Sequence, residues 1–216
     1  MVKNIGAQTS IFNQYLSEMR DSVIQVDSLR FRTNMDRIAS IVGYEISKEL
    51  EYRTTEISTP LGVVEMPVLK EYPVIASILR AGLPMHLGML KVYDKSDNAF
   101  VSAYRRHRKD GSFDVQVEYV SGPQLTDRMV ILCDPMLATG MSLVLSYNAL
   151  LRKGRPRHTH IVALIASMEG VEYMRKNLPQ DEVTLWVGAI DDELTAQAYI
   201  VPGLGDAGDL AFGAKL

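Results

Sequence analysis

The stretch Arg128-Met-Val-Ile-Leu-Cys-Asp-Pro-Met-Leu-Ala-Thr-Gly-Met-Ser-Leu-Val-Leu-Ser-Tyr-Asn-Ala-Leu150 decides the fold. Met129 to Cys133 is an uninterrupted apolar run of strand length, the pattern of a central parallel strand covered on both faces. It stops at Asp134, which therefore falls at a strand's carboxyl end. Small and hydroxyl-bearing residues follow, then an apolar helix expected to start near Leu143, run to about Lys153 and end in a left-handed cap at Gly154. In open α/β sheets, ligands bind outside the carboxyl ends of the strands, where the next helix presents unpaired N–H groups, so the expected guest is an anion. Thr139, Gly140 and Ser142 suit a turn that wraps a phosphate, two of them with hydroxyls and one with a free φ; they suit an ordinary N-capped helix as well.

The same layout repeats on either side. Pro73 to Leu79 is a second apolar run, followed by Arg80-Ala-Gly-Leu-Pro84 and a helix carrying Met85, Leu87, Met89 and Leu90. If the two strands are parallel, Arg80 projects into the crevice of Asp134; otherwise it pairs with a surface carboxylate. Ile161 to Ile165 and Glu182 to Ile190 read as two further strands, with a helix from Glu169 to Asn177 between them and Trp186 in the core. Strands alternating with helices give an α/β fold, a mainly parallel central sheet flanked by helices. Upstream, Ile38, Ile41, Val42, Ile46 and Leu50 place a helix over 34–50 with Asn34 as its cap. Tyr52 to Ile57 and Val63 to Met66 form a hairpin around Thr59-Pro-Leu-Gly62, expected to cover one end of the sheet. Residues 8–32 show no clean period. His158 and His160 would share a strand face, but a metal pair lacks a third ligand nearby, and surface positions are expected.

Composition bounds the class. The 216 residues are 47% hydrophobic and 23% charged, which describes one globular domain over 1–216 and excludes disorder and membrane classes. No apolar run approaches the roughly 20 residues of a spanning helix, and the first residues lack a signal-peptide core, so a cytoplasmic protein is expected. A net charge of −3 gives no global attraction to nucleic acid, so any phosphate site must be local. The lone cysteine, Cys133, reads as a core thiol rather than a nucleophile.

Two more stretches carry chemistry. Residues 100–120 alternate as two strands around a polar turn, a projecting hairpin whose tip holds Arg105, Arg106, Arg108 and Lys109. Three readings stand: charges that discourage strand pairing, a weak nucleic-acid contact, or a mobile basic cover that closes over a diphosphate. Residues 199–213, Tyr-Ile-Val-Pro-Gly-Leu-Gly-Asp-Ala-Gly-Asp-Leu-Ala-Phe-Gly, read as too glycine-rich for a packed element. Their bare backbone suits recognition of a flat heterocycle, or else they are a loose tail.

Three motifs in order carry a family resemblance over roughly residues 70–213. Val130-Ile-Leu-Cys-Asp-Pro-Met-Leu-Ala-Thr-Gly140 resembles the phosphoribosyl pyrophosphate (PRPP) loop of type I phosphoribosyltransferases. Ile78-Leu-Arg-Ala-Gly-Leu83 and residues 199–209 resemble the pyrophosphate loop and base-binding segment of the uracil phosphoribosyltransferase branch. The resemblance implies a phosphoribosyltransferase-like fold with a protruding β-hairpin and a small hood built from terminal segments. It also implies the reaction of uracil with PRPP to give UMP and pyrophosphate. Carried over, the PRPP contacts are Arg80, Arg105, Asp134, Pro135, Met136, Leu137, Ala138, Thr139, Gly140, Met141, Ser142 and Asp206. Uracil is met by Ile200, Gly205 and Ala207, mainly through backbone, with Asp206 beside them. Arg80, Arg105, Asp134 and Asp206 are the catalytic set. Magnesium comes with PRPP, no metal being held directly by the protein. The implied assembly is a homodimer or larger homo-oligomer with GTP as a candidate effector, without nucleic acid or membrane. The rival reading is a catalytically silent PRPP or nucleotide sensor, or an RNA-binding regulator, of the same fold. Arg106-His107 departs from a common acidic pair, Leu210 from the usual arginine and Met141 from a common second glycine. Pro135 stands where many phosphoribosyltransferases have a second acid, as is usual in the uracil branch.

Overall fold

The computed structural model describes residues 1–107 and 113–214, with 103–107 and 113–117 described by backbone alone. The chain begins with a short strand, β1 (Val2–Asn4), and two helices, α1 (Ile11–Arg20) and α2 (Ser28–Ser47). Side chains close the free N–H groups of both helices: Ser10 and Asn13 form a capping box, and Asp27 accepts from Leu29 and Arg30. The expected cap at Asn34 is therefore wrong. Phe31, Met35, Ile38, Val42 and Ile46 form one buried stripe that continues through it. Asn34 lies on that stripe and donates to Glu18 Oε2 at 2.7 Å. Arg30 forks onto the same carboxylate at 2.9 and 2.7 Å and, with Asn34, holds it down to about 2, so a buried charge is fully paired.

Strands β2 (Tyr52–Thr59) and β3 (Gly62–Leu69) pair as the expected hairpin. They make a separate two-stranded sheet exposed along almost all its length, so they project rather than cover the sheet end. The remainder follows the alternation: β4 (Val74–Leu79), α3 (Leu83–Val92), β5 (Asn98–His107), β6 (Phe113–Ser121), β7 (Met129–Cys133), β8 (Met136–Leu137), α4 (Met141–Leu150), β9 (His158–Ser167), α5 (Met168–Asn177), β10 (Val183–Asp191), β11 (Glu193–Leu194), β12 (Ile200–Val201) and α6 (Ala207–Phe212). The main sheet runs β1-β10-β9-β7-β4-β5-β6, parallel except for β5 against β6, and β8 extends the edge of β9 beyond β7.

The apolar runs are continuous because both faces are covered. Ile75, Ile131 and Cys133 belong to one core with α1, α2 and α3; Val74, Ala76, Val130 and Leu132 belong to the other with α4 and α5. From β4 the chain steps outward to β5 and β6, then returns to the other side of β4 as β7. The strand order reverses there, and a crevice opens at the carboxyl ends of β4 and β7. Among the described residues no helix is long and apolar enough to cross a membrane.

Helix α4 starts at Met141, two residues before Leu143, and a 3-10 turn over Leu151–Lys153 carries the run to Lys153 as expected. Two local expectations fail. Gly154 has φ 112° and ψ 160°, outside the left-handed helical region, because it packs on Thr126, whose Oγ1 would lie 2.3 Å from an added Cβ. The histidines are not surface residues: His160 is 1% exposed and His158 half-buried. The indole N–H of Trp186 donates to His160 Nδ1 at 3.1 Å, and His158 Nε2 meets Thr184 Oγ1 at 2.9 Å. A polar letter at a strand start reads as exposed, yet a neutral imidazole can accept a buried indole's proton.

Burial, with His158 and Lys3 nearby, pushes His160 down to about 3. The unfolded chain takes up this proton near pH 6.5 and the folded chain does not, so stability falls as pH drops from 6.5 towards 3. The slope from this residue reaches up to about 1.4 kcal/mol per pH unit. His160→Gln, which keeps an acceptor for Trp186, should flatten urea-unfolding stability between pH 6.5 and 5; an unchanged slope would show that His160 is protonated inside the fold.

Candidate active site

The anion turn is an extension of the sheet rather than a free loop. Asp134 N–H donates to Val162 O at 3.0 Å, and Pro135 O accepts from the N–H groups of Leu164 and Ile165 at 3.0 and 3.2 Å. Strand β8 then pairs with Ile165 and Ala166. Ser167 Oγ donates to Ala138 O at 2.6 Å while accepting from Gly170 N, so the cap of α5 also fixes the turn before α4. Gly170 allows this approach, since a Cβ there would meet Ala138 O at 2.2 Å.

Gly140 is the N-cap of α4 with φ 81°, and no side chain caps the helix. Its first amides border a hollow of about 20 Å³ lined by Asp134, Met136, Leu137, Ala138, Thr139 and Gly140 and by the first turn of the helix. Met141 is the first helical residue and has no positive φ. Cys133 is fully buried, and burial with Asp134 beside it pushes the thiol up, so it has no reactive thiolate.

Arg80 follows β4, and the Leu79–Arg80 peptide is cis. Parallel register sets Ser77 opposite Cys133, so the Arg80 and Asp134 loops leave adjacent strand ends. They abut at Gly82, where a Cβ would lie 2.6 Å from Cys133 O. The guanidinium itself pairs with Asp209 at 3.4 Å and with Gly213 O at 3.2 Å. Both sequence readings of Arg80 thus hold in part: it stands at the crevice and it pairs with a half-exposed carboxylate. Arg105 sits in β5 opposite Val115, but its side chain, like those of Arg106 and His107, lies outside the described residues, as do Arg108 and Lys109 entirely.

The glycine-rich segment is packed, contrary to expectation. Strand β12 pairs with β11, Ile200 and Leu204 are buried, and residues from Ala207 form α6. Asp206 caps that helix, Oδ1 accepting from Asp209 N at 3.0 Å. Gly208 brings the segment onto the Arg80 loop, 3.8 Å separating a Cβ there from Ala81 Cβ. Leu210, in place of an arginine, is half-buried against the core. Glycine here serves close approach between backbones as much as exposure, a distinction composition does not carry.

The N-terminal helices grip this segment and form the hood. Gln25, its amide nitrogen turned toward them, donates to Leu204 O at 2.7 Å and Met19 O at 3.0 Å. Arg32 Nη1 donates to Ala211 O at 2.6 Å. Arg20 and Asp191 also reach the segment. Sequence reading missed all four, since residues 8–32 show no clean period and Asp191 ends a strand without a motif around it.

Comparison with known proteins follows the same line. A family model described as uracil phosphoribosyltransferase matches residues 7–214. The chain is similar to the uracil phosphoribosyltransferase of Porphyromonas gingivalis, 49% identical over 215 residues and covering 100% of this chain and 99% of that protein. It is also similar to the uracil phosphoribosyltransferase of Pyrococcus furiosus, 36% identical over 203 residues, 93% and 85% covered. Among solved structures, the AQ2163 protein from Aquifex aeolicus superposes with a TM-score of 0.87 at 26% identity over 100% of both chains.

The turn separates two substitutions. A side chain on Gly140 must hold a left-handed φ and meets Tyr173 Cδ1 at 3.0 Å and Gly170 O at 3.1 Å, whereas Met141 needs no glycine. Gly140→Ala should lower PRPP affinity about tenfold, the equivalent of about 1.4 kcal/mol. Met141→Gly should change it less than about threefold. Titration calorimetry with PRPP and magnesium ranks the two, and the reverse ranking would place the constraint at Met141.

Proposed function

The chain belongs to the uracil phosphoribosyltransferase family, and from that membership we propose that it transfers the phosphoribosyl group of PRPP to uracil, yielding UMP and pyrophosphate for pyrimidine salvage. The carrying observation is the meeting of three loops, Gly82 against the end of β7 and Gly208 against Ala81, in one crevice at the strand-order reversal.

In this reading the 5′-phosphate takes the open amides and hydroxyls of residues 138–142, with Pro135, Met136 and Leu137 walling the approach and Asp134 facing the ribose hydroxyls. Breaking the anomeric bond builds positive charge on the ribose and negative charge on the diphosphate. Arg80 and Arg105 offset the latter, while Asp206 contacts the PRPP side of the site. Ile200, Gly205 and Ala207 present the backbone that reads uracil, where an unmatched donor or acceptor is penalised. Positioning and fixed charge carry most of the barrier. Phosphoribosyltransferases generally use magnesium with PRPP. In this reading the ion would enter with PRPP, held mainly by the substrate's own oxygens. There it supplies charge neutralisation on the leaving group. A cytoplasmic home belongs to the same proposal.

Homo-oligomerisation is supported by the β2–β3 hairpin. Its register places Ile57, Val64, Met66 and Val68 on one face, and the first three are 36%, 44% and 48% exposed. Two strands alone are marginal in water, so a second copy is the occupant that would stabilise them. Val64→Lys with Met66→Glu should shift the protein to a smaller species in sedimentation velocity; no shift would remove the hairpin from the interface.

Pyrophosphate release should follow addition of PRPP, magnesium and uracil, and should stop with EDTA; running the assay with GTP tests the candidate effector. Tight PRPP binding without release would favour the silent-sensor reading, and faster release with hypoxanthine or adenine would move the base assignment. Arg105→Ala should slow turnover more than it weakens uracil binding, and equal losses would speak against a diphosphate clamp.

A further inference from the structure

Backbone recognition of a base demands that the backbone stand still, and the segment offered for it turns on two glycines. Gly203 has φ 60° and Gly205 φ 87°, two residues of maximal conformational freedom around Leu204. Gly203 is also packed too tightly for any other residue, a Cβ there lying 2.0 Å from Ile200 O. Something outside the segment must fix it.

Two charged residues do so. Arg20, the last residue of α1, forks onto Asp191, the last residue of β10, with Nη1 to Oδ2 at 2.9 Å and Nη2 to Oδ1 at 2.8 Å. The same atoms close on Gly203: Arg20 Nη1 donates to its carbonyl at 3.0 Å, and its N–H donates to Asp191 Oδ2 at 3.0 Å. Both backbone polar groups of one glycine are thus held by the two halves of an ion pair. Asp191 is 8% exposed and the Arg20 side chain 23%, so solvent competes weakly for either.

We propose that Arg20 and Asp191 are positioning residues for base recognition, an ion pair that locks Gly203 to the sheet edge and to α1 and so sets the aim of the uracil-reading backbone at Ile200, Gly205 and Ala207. The inference rests on the assignment of that segment to uracil. Arg20 and Asp191 act through Gly203, so their loss falls on the base and spares the 5′-phosphate turn, which is built on β7, α4 and α5.

Arg20→Met and Asp191→Asn should raise KM for uracil about tenfold or more while changing KM for PRPP less than about threefold. Arg20→Lys, which keeps the charge and loses the fork, should fall between them and the wild type. In parallel, amide hydrogen exchange at Gly203 should quicken about tenfold in Arg20→Met, and a merely structural role would quicken the core strands equally. Unchanged exchange at Gly203 in folded variants overturns the clamp. Faster exchange with unchanged KM for uracil, or with KM for PRPP rising in step, overturns its role in base recognition. Should the wild type release no pyrophosphate with uracil, the functional reading fails, and the exchange arm alone still judges the clamp.

Discussion

The register of two neighbouring parallel strands is the constraint on which the rest depends. With Ser77 opposite Cys133, β7 ends beside β4, which runs two residues further to Leu79, and their outgoing loops leave side by side. Because the strand order reverses between them, α3 and α4 depart to opposite faces and leave the strand ends uncovered. Among the described residues, the loops at Arg80, after Cys133 and at Gly208 meet at that gap. A slip of one residue would turn Ile131 and Cys133 into the wrong core and carry Arg80 and Asp134 away with them.

Holding the gap open falls to elements that contribute none of the proposed site residues. The turn before α4 hangs from β9 through Pro135 O and from the α5 cap through Ser167. The glycine-rich segment hangs from the α1–α2 connection through Gln25, from α2 through Arg32, and from α1 and the end of β10 through Arg20 and Asp191. Helix α2 is in turn tied to α1 by the buried Glu18 carboxylate, which Arg30 and Asn34 satisfy completely enough to keep it charged. The hood is therefore polar at its joints, and apolar residues such as Phe12, Met35 and Ile38 fill between them.

Legibility followed the physical range of each signal. The strands at 129–133, 74–79 and 183–191 were readable because burial on both faces leaves no ambiguity of period, and the motif loops because strand ends locate them. The start of α2 was not, since its cap, Asp27, sits in a polar stretch and Asn34 imitates one closer to the stripe. His160 was misread because sequence shows a polar residue but not the indole that donates to it. The β2–β3 hairpin was recognised as a hairpin, yet alternation alone says nothing of what lies against either face. The Arg20–Asp191 clamp lies furthest from legibility: its partners are 171 residues apart in the chain, and neither sits in a motif.

Glycine content shows the same limit from the other side. Family habit points to a second glycine at position 141, but Met141 opens α4 without positive φ, so nothing in the backbone requires one. The requirement lies instead at Gly140, which must turn, and at Gly170 in a different element, which must let Ala138 O approach. The phosphate turn thus constrains the sequence of α5 as firmly as its own. In the glycine-rich segment Gly203 is excluded from change by Ile200 O, whereas the Cβ position of Gly205 meets Leu210 at 3.7 Å. Both have positive φ, but Gly203 is the anchored point and Gly205 the bare one. Recognition through backbone is served by that pairing, because an unanchored bare strand would present its donors in many directions.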